Sequence, residues 1–452
     1  MPGPTRWLLP TTILGSSLGY IDSSVVNVAL PAIERGLHAN LATVQWVVNG
    51  YLLTLAAFIL LGGSAADRYG QRRIFLIGLA GFAATSLLCG IAPTAEWLIF
   101  ARLAQGATAA LLMPASLALI GHGYQGAARG LALGTWAAAG AIVTALGPPL
   151  GGWLVDTVGW RAIFFINLPV ALAAFALGLK LPADGGGKHS EPLDAWGAAW
   201  AVIGLGLFAY SLIALGEGSR VPGTVALAAA LPVTWLFLRT ERRAPAPMMP
   251  LSLFANRNFA GANALTVLLY ASLSGALFLL PFQLITVHHY STAAAGAAFL
   301  PFSAIMGAGS RWAGALVERI GARLPLIFGP AIVALGYLIL AVSGGNPSYW
   351  VGALPGLLIV AVGITLSVTP LTTTVFDSAP EDKSGAASGL NNAAARAGAL
   401  LAVAALGLAF GGSGPAALGP DSVSHAYRQV MLGATALATF SALAAALTIK
   451  PR

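Results

Sequence analysis

Charged residues are scarce in this chain: of its 452 residues, only 8% are Asp, Glu, Lys or Arg. A soluble protein normally has about 25% charged residues. Hydrophobic residues make up 57% of the sequence, and its mean hydropathy is +0.81. Because so little charge cannot cover a water-exposed surface of this size, the composition excludes an ordinary soluble protein and indicates an integral membrane protein.

The chain has a single cysteine, Cys89, so an intrachain disulfide and a cysteine-based metal cluster are both excluded. It contains no phosphate-binding G-x-x-x-x-G-K-[ST] segment and no G-x-S-x-G segment, which leaves an ATP-driven pump and a serine hydrolase unsupported. The adjacent His288 and His289 point in different directions and predict a solvated loop. We therefore expect no enzyme activity, no cofactor and no metal site.

The formal charge of +8 would suit a nucleic-acid partner, but the basic residues occur in short clusters between apolar runs. They are better explained as signals of membrane topology, because basic residues accumulate on the cytoplasmic side. Most of them fall on the side of the chain termini. We therefore expect no nucleic-acid partner, and we place both termini in the cytoplasm and the protein, as a monomer, in the plasma (inner) membrane.

Fourteen apolar runs are long enough to cross a bilayer, which takes about 20 residues of helix. They cover residues 8–32, 42–64, 73–92, 96–120, 131–155, 160–181, 196–216, 221–240, 259–287, 293–316, 323–343, 348–374, 385–411 and 426–448. We therefore predict an all-α integral membrane protein with fourteen transmembrane helices. An even number of helices agrees with termini on one side.

Two polar stretches divide these helices into groups. The first, Pro182–Pro192 (PADGGGKHSEP), is rich in glycine, and the second, Glu241–Pro250 (ERRAPAPMMP), is basic and rich in proline. We predict an N-terminal six-helix bundle (1–181), a linker with two additional transmembrane helices (182–250) and a C-terminal six-helix bundle (251–452).

A short internal repeat supports the two bundles. Residues 63–70 (GSAADRYG) and 314–321 (GALVERIG) place glycine, acid, arginine and glycine at the same spacing after corresponding helices. Glycine permits a tight turn, and an acid and an arginine can join helix ends through charge-assisted hydrogen bonds. Parallel six-helix repeats are typical of transporters that hold their substrate between the halves. We predict a conformational latch, with a plain cytoplasmic turn as the alternative, at Gly63, Asp67, Arg68, Gly70, Arg72, Glu318 and Arg319.

Asp22 is the one acid that we predict inside a membrane span. A carboxylate there costs about 2.5 kcal/mol or more and normally faces a bundle interior or a water-filled cavity, so it marks a functional site. Arg102 interrupts another apolar run, WLIFARLAQGATAALLMPASLALI. A buried arginine needs an acid or carbonyl groups nearby.

Several segments together identify a relationship. The sequence resembles the fourteen-helix drug/proton antiporter family of the major facilitator superfamily along nearly its whole length. The resemblance rests on LGYIDSSVVNVALPAI (18–33), the Asp67–Arg68 loop, RLAQG (102–106), GPPLGG (147–152), WRAIFFINLP (160–169) and GAASGLNN (385–392). It implies the major facilitator fold, with two six-helix bundles and two additional helices.

The resemblance also implies roles for particular residues. The arginine at position 102 is associated with proton coupling in this family, and Asp22 is the obvious carboxylate to pair with it; simple attachment of one helix to another is the alternative. A proline–glycine segment, typical of exporters, corresponds to Gly147, Pro148, Gly151 and Gly152. The sequence departs from the family at Val143, which replaces the first glycine of that segment.

The family's arginine near GAASGLNN is also displaced, because this chain has Ala395 at that position and Arg396 one residue later. A shift of one residue turns a side chain by about 100° around a helix. Arg396 therefore either faces the cavity or pairs with backbone carbonyls. Polar residues in spans serve as substrate contacts or as interhelical hydrogen bonds, and our candidates for substrate binding are Asn27, Tyr51, Gln105, Asn263, Gln283, Asn391 and Arg396.

These observations predict a proton-coupled secondary transporter that exports small amphipathic molecules or drugs by alternating access, with Asp22 as the proton carrier. One carboxylate and two arginines in the spans disfavour dicationic substrates. The alternatives are an exporter of an anionic or lipid-like metabolite, and a membrane receptor or lipid scrambler without proton coupling.

Overall fold

The computed structural model describes residues 6–182, 193–380, 383–410 and 420–450, and these ranges contain helices and turns but no strand. A 3₁₀ turn covers Leu251–Ala255 and a π-helical turn covers Gln283–Val287. The α-helices are α1 (Leu8–Gly36), α2 (Leu41–Tyr69), α3 (Gln71–Gly90), α4 (Ala95–Gly123), α5 (Gly126–Thr157), α6 (Ala162–Phe165), α7 (Asn167–Gly178), α8 (Ala195–Gly216), α9 (Arg220–Arg243), α10 (Arg257–Phe282), α11 (Thr292–Ala297), α12 (Leu300–Ile320), α13 (Arg323–Ser343), α14 (Tyr349–Gly352), α15 (Leu354–Asp377), α16 (Ser384–Ala405), α17 (Gly407–Phe410) and α18 (Pro420–Thr448).

Thirteen helical segments of the described chain are long and apolar enough to cross a membrane, and a shorter apolar segment covers Ala162–Gly178. The shorter segment corresponds to the predicted span 160–181. Helices suit a bilayer because each satisfies its own backbone hydrogen bonds where no water is present. The prediction of an all-α membrane protein is therefore confirmed. The predicted linker at 182–192 lies, apart from Pro182, outside the described residues.

Four predicted spans are divided between α-helices, and two of them are the span 348–374, which contains α14 and α15, and the span 385–411, which contains α16 and α17. The span 160–181 is divided at Ile166 into α6 and α7, and the span 293–316 is divided between α11 and α12. Pro169 and Pro301 each lie in the first turn of the second piece, where the missing backbone N–H of proline removes no helical hydrogen bond. Hydropathy does not reveal such breaks, because the sequence remains apolar on both sides of each break.

The helix that contains Asp22 is longer than predicted. It continues to Gly36, so Glu34 belongs to its last turn and is only 3% exposed. Glu34 therefore belongs to the same helix as Asp22 but lies beyond the predicted span 8–32, because a hydropathy window ends a helix at the first charged residues, whereas the backbone continues for one more turn. That Asp22 is the one acid inside a membrane span stays a prediction.

The repeated segment has the same backbone geometry in both halves of the chain. Gly70 ends α2 with φ +96°, and Gly321 ends α12 with φ +76°. The amide of Gly70 donates to the carbonyl of Ala66 at 3.1 Å, and that of Gly321 donates to Val317 at 2.9 Å. Positive φ values favour glycine, because in any other residue the Cβ atom would come too close to a backbone carbonyl oxygen.

The two halves of the chain meet at the end of the molecule opposite residues 6 and 450, which we call the outer end. Here α5 packs on α11 so closely that a methyl group on Gly152 would overlap the carbonyl of Thr292. Asp156, near the end of α5, accepts hydrogen bonds from the amides of Thr292 (3.2 Å) and Ala293 (2.7 Å). On the other side of the molecule, Gln45 Nε2 donates to the carbonyl of Val403 at 2.5 Å.

At the opposite end, which we call the inner end, large apolar side chains of α5 and α12 are exposed. Leu131, near the start of α5, is 75% exposed, and Trp312 in the second half of α12 is 81% exposed. The outer ends of these segments are held together while their inner ends are solvent- or lipid-accessible.

Helix α8 packs against α2 and α16, and α9 packs on the far side of α8. The contact between α8 and the second half continues at the outer end, where the backbone of Gly216 meets that of Gly407. The two additional helices therefore cover the line along which α2 and α16 meet.

We expect Gly70→Ala and Gly321→Ala to destabilise the protein by about 1 kcal/mol each, because alanine is strained at a positive φ. The measurement is thermal unfolding of the purified protein in detergent, followed by tryptophan fluorescence. Gly130→Ala is the matched control, since Gly130 lies within α5 with open space around it. Equal unfolding temperatures for all three variants would contradict the proposed backbone requirement.

Candidate functional site

Asp22 and Arg102 form an ion pair in the interior of the first half of the chain. Asp22 lies near the middle of α1, and Arg102 lies in the second turn of α4. Each residue is 1% exposed. Arg102 Nη1 donates to Asp22 Oδ2 at 2.5 Å. The structure therefore brings together the two charged residues that the sequence predicted as partners.

The guanidinium of Arg102 makes further contacts with α2 and α4. Its Nε donates to the carbonyl of Val47 at 3.1 Å, and its Nη1 also donates to Gln105 Oε1 at 2.7 Å. The ring of Tyr51 lies 4.3 Å from its Cζ atom, within the range of a cation–π interaction. A buried charge is stable only when it is paired and hydrogen-bonded, and these contacts meet that condition.

Gln105 donates a second hydrogen bond to the carboxylate of Asp22. Its Nε2 donates to Asp22 Oδ1 at 3.1 Å and to Ser86 Oγ at 3.3 Å. Both oxygens of Asp22 therefore accept hydrogen bonds from the interior, as an ionised carboxylate does. Spacing explains part of this arrangement, because residues 102 and 105 lie on one face of α4.

Two further members of the network were missed by the sequence analysis. Ser86 in α3 donates to the carbonyl of Phe164 at 2.9 Å, and Asn167 Nδ2 donates to Ser86 Oγ at 3.0 Å. Asn167 Oδ1 is buried without a hydrogen-bond partner among the described atoms. Asn167 belongs to the WRAIFFINLP segment, so that segment was the available signal. A lone serine in an apolar helix gives none.

A small internal space adjoins the ion pair. It has a volume of about 20 Å³ and is lined by Ser16, Gly19, Tyr51 and Arg396 together with apolar side chains. This is enough for roughly one water molecule, so a larger substrate requires the surrounding helices to separate. Tyr51, which is buried, lies between this space and Arg102.

Arg396 faces this internal space, which answers a question that the sequence left open. Within the described part of the chain, its guanidinium has no hydrogen bond and no ion pair, and it is half-buried. Arg396 shares the lining of this space with Tyr51 and Ser16. Arg396 therefore places a positive charge, unpaired among the described residues, in the interior between α1, α2 and α16.

Three other predicted substrate contacts lie away from the ion pair. Asn391 Nδ2 donates to Thr266 Oγ1 at 2.7 Å and to Asn263 Oδ1 at 3.3 Å, which joins α16 to α10. Gln283 is in the π-helical turn at the outer end, where its Nε2 donates to the carbonyl of Gly344 at 2.9 Å. The structure does not bring Gln283 to the site. A further candidate, Asn27, is half-buried in α1, five residues beyond Asp22 toward the outer end.

The predicted latch residues surround the inner end. Arg72 donates to the carbonyls of Gly178 (3.0 Å) and Leu179 (2.8 Å), so it ties α3 to the end of α7 within the first half. Arg68 lies over the ring of Tyr69. Gly63 faces Pro114, and Asp67 is exposed. Arg319 lines a cleft together with Arg323 and Asp377. The side chain of Glu318 lies outside the described atoms. A latch between the halves stays a prediction.

The proline–glycine segment of α5 contacts both halves. Gly147 and Gly151 pack on Ser24 and Val25 of α1, and a Cβ on Gly151 would lie 2.6 Å from Val25 Cγ1. Facing the other way, the carbonyl of Pro148 meets Gly296, and Gly152 meets Thr292. Side chains larger than hydrogen at these glycines would separate the helices. The segment therefore connects the turn of α1 that follows Asp22 to the second half.

The sequence profile of the Major Facilitator Superfamily matches residues 12–403. The chain is 36% identical over 405 residues to the multidrug resistance protein Stp of Mycobacterium tuberculosis, which covers 88% of this chain and 74% of that protein. It is 34% identical to the tetracenomycin C resistance and export protein of Streptomyces glaucescens (90% and 76% covered) and 35% identical to the methylenomycin A resistance protein of Bacillus subtilis (87% and 85% covered). This protein belongs to the major facilitator superfamily and is a multi-pass membrane transporter, not an enzyme.

Solved structures agree with the fold. A proton-dependent oligopeptide transporter has a TM-score of 0.69 at 16% identity, with 98% of each chain covered. The nucleoside transporter NupG, solved as a point variant, has a TM-score of 0.64 at 13% identity, with 98% of this chain and 100% of that chain covered. These similarities concern the fold alone, and with the profile match they confirm the major facilitator fold that the sequence predicted.

We expect Arg102→Gln to destabilise the protein by about 3–5 kcal/mol, because it leaves the carboxylate of Asp22 buried without its counter-charge. Asp22→Asn in the same protein should restore much of that loss. The measurement is a double-mutant cycle on thermal unfolding in detergent, which isolates the coupling between the two positions. Simple addition of the two single effects would contradict a direct pair.

Proposed function

We propose that this protein is a proton-coupled exporter of small amphipathic molecules or drugs, which works by alternating access and uses Asp22 as its proton carrier. The observation that supports this most is the buried Asp22–Arg102–Gln105 network beside an internal space between the halves. An ionisable residue at such a depth is expensive and marks an ion or substrate pathway.

The contacts between the halves support alternating access. In this conformation the outer end is closed by α5 on α11 and by Gln45 on α16, and the inner halves of α5 and α12 are exposed. The site is therefore loaded from the inner side, which we propose to be the cytoplasm. A rocking motion that breaks the Asp156 hydrogen bonds and closes α5 on α12 exposes the site outward.

The packing of α5 on α1 supports the proposed proton coupling. Because Gly147 and Gly151 contact Ser24 and Val25, movement of α5 during rocking is transmitted to the turn of α1 next to Asp22. A shift of α1 against α4 lengthens the ion pair. A buried carboxylate without its guanidinium favours the neutral, protonated form, so the proton binds in one conformation and leaves in the other.

The names of the relatives support export. Stp is a multidrug resistance protein, and the tetracenomycin C protein confers resistance by export. Resistance by a transporter requires net movement of the drug out of the cell, so we propose that this protein lies in the plasma membrane. We further propose that it is monomeric and that both termini are in the cytoplasm. We also propose that residues 1–181 and 251–452 form the two moving bundles and that 182–250 adds the two further helices.

Arg396 favours substrates with negative or hydrogen-bond-accepting groups. Asp22 neutralises Arg102, whereas Arg396 has no partner in the described chain and lines the internal space. The local charge is therefore positive, which repels cations, above all dications. Export of an anionic or lipid-like metabolite is accordingly the second candidate function. Tyr51, which lines the same space, supplies a flat apolar surface there.

We expect Asp22→Asn to abolish export driven by a proton gradient, because an amide cannot cycle between charged and neutral forms. The measurement is accumulation of a fluorescent drug panel in proteoliposomes with an imposed pH gradient. Asp421→Asn, an exposed acid at the start of α18, is the matched control and should transport normally. Proton-driven export by Asp22→Asn at the wild-type rate would exclude this mechanism.

We expect Arg396→Gln to weaken binding of an organic anion at least tenfold and to leave or improve binding of the monocation ethidium. The reason is loss of the only unpaired positive charge seen in the internal space of the described chain. Fluorescence titration in detergent measures both affinities, and Arg428→Gln, exposed on α18, is the control. Equal losses for both probes would indicate that Arg396 has a structural role instead.

A further inference from the structure

A second, larger cavity lies away from the ion pair. It measures about 490 Å³, a size that accommodates drug-sized molecules. Five helices contribute to its walls: α2, α8, α9, α10 and α16. Each contributes residues of its inner half, such as Leu60, Phe237 and Ala260, so the cavity lies at the depth of the inner leaflet. We call it the inner-leaflet pocket.

The lining of this pocket is almost entirely apolar. Its larger side chains are Trp200, Phe208, Phe237 and Phe254, and much of the remainder is alanine. No charged residue lines it in the described chain, and its polar groups are the amide of Asn263 and the hydroxyl of Thr234. The Asn263 side chain already bonds to Phe259 and Asn391. Such a lining suits an uncharged lipophilic molecule.

The floor of the pocket is held by acids of the additional helices. Met248 and Met249 lie in this floor, and the amide of Met249 donates to Glu241 Oε2 at 2.8 Å. Asp194 Oδ1 accepts from the amide of Gly197 at 2.8 Å and so caps α8. Methionine side chains adapt readily to ligands of different shapes. The backbone of the floor is fixed while its side chains remain adaptable.

A thin wall separates this pocket from the internal space beside the ion pair. On α2, Ala56, Ala57 and Leu60 face the pocket, whereas Tyr51 and Leu55 face the internal space. On α16, Ala393, Ala394 and Ala397 face the pocket, whereas Arg396 faces the internal space. The three residues of α16 that face the pocket are alanines, so no bulky side chain of these three positions covers the line between α2 and α16. The pocket also fills the gap between α9 and α10, which make no extensive contact in the described chain.

We infer that the inner-leaflet pocket is a loading site, at which an uncharged lipophilic substrate binds from the inner leaflet before it passes between α2 and α16 to the internal space. The inference rests on the proposed export function for its direction of travel. It also gives the two additional helices a role in substrate binding, because α8 and α9 form the wall of the pocket on the side away from α2 and α16.

Photolabelling tests this assignment on the whole protein in phosphatidylcholine nanodiscs. The probe is a neutral, drug-sized aliphatic diazirine, and mass spectrometry locates the labelled residues. We expect labels on Met248, Met249 and Phe237. Ala264→Trp should reduce that labelling at least tenfold, because Ala264 is exposed to the pocket and an indole fills it. Ala228→Trp, on the exposed side of α9, should leave labelling unchanged.

The outcomes separate this assignment from the proposed function. Labelling of the pocket in Asp22→Asn at the wild-type level supports a site distinct from the ion pair, even if that variant no longer exports. Labelling that Ala264→Trp does not reduce would overturn the assignment, whether or not the protein is proton-coupled. Wild-type labelling confined to lipid-facing positions such as Val225 would also overturn it, since acyl chains of the bilayer would then occupy the pocket.

Discussion

The ion pair of Asp22 and Arg102 imposes a condition that the rest of the first half has to meet. Two charges removed from water are stable only if their hydrogen-bonding groups are satisfied by the protein. Here α2 supplies the carbonyl of Val47 and the ring of Tyr51, and α4 supplies Gln105. The bonds continue through Ser86 and Asn167 to α3, α6 and α7. The hydrogen bonds that satisfy the buried ion pair thus connect six helices: α1, α2, α3, α4, α6 and α7.

Sequence was sufficient for much of this architecture and for part of the site. Long apolar runs identify spans, because a helix satisfies its own backbone hydrogen bonds inside the bilayer. A buried Arg102 needs an acid or carbonyl groups nearby, and the family resemblance together with the position of Asp22 in a span pointed to that residue. The breaks at Ile166 and before Leu300 were not visible, because they change backbone direction without changing hydropathy. Ser86 was not predictable, since an interhelical hydrogen bond depends on which helices become neighbours. Gln283 shows the converse, a polar residue whose partners lie at the outer end.

Helix α5 explains how a local pair can respond to a global motion. Its glycines allow contact with α1 on one side and α11 on the other, with no long side chains between the backbones. Close-packed backbones transmit displacement, because no flexible side chain absorbs it. The Asp156 hydrogen bonds and the exposed inner half of α5 make the same helix both a closing surface and a moving part. In the proposed mechanism, alternating access and protonation of Asp22 therefore both depend on α5.

The two additional helices add a constraint of a different kind. Arg396 has no partner in the described ranges of the chain, and an internal space lined by this charge has little to attract a neutral molecule from water. Neutral molecules instead concentrate in the bilayer, because apolar surface leaves water. In the loading role that we infer, a pocket walled by α8 and α9 at the depth of the inner leaflet meets such molecules in the bilayer, and its aromatic and aliphatic side chains replace their lipid contacts. In this proposal Arg396 recognises charge and the inner-leaflet pocket recognises apolar surface, with α2 and α16 forming the wall between them.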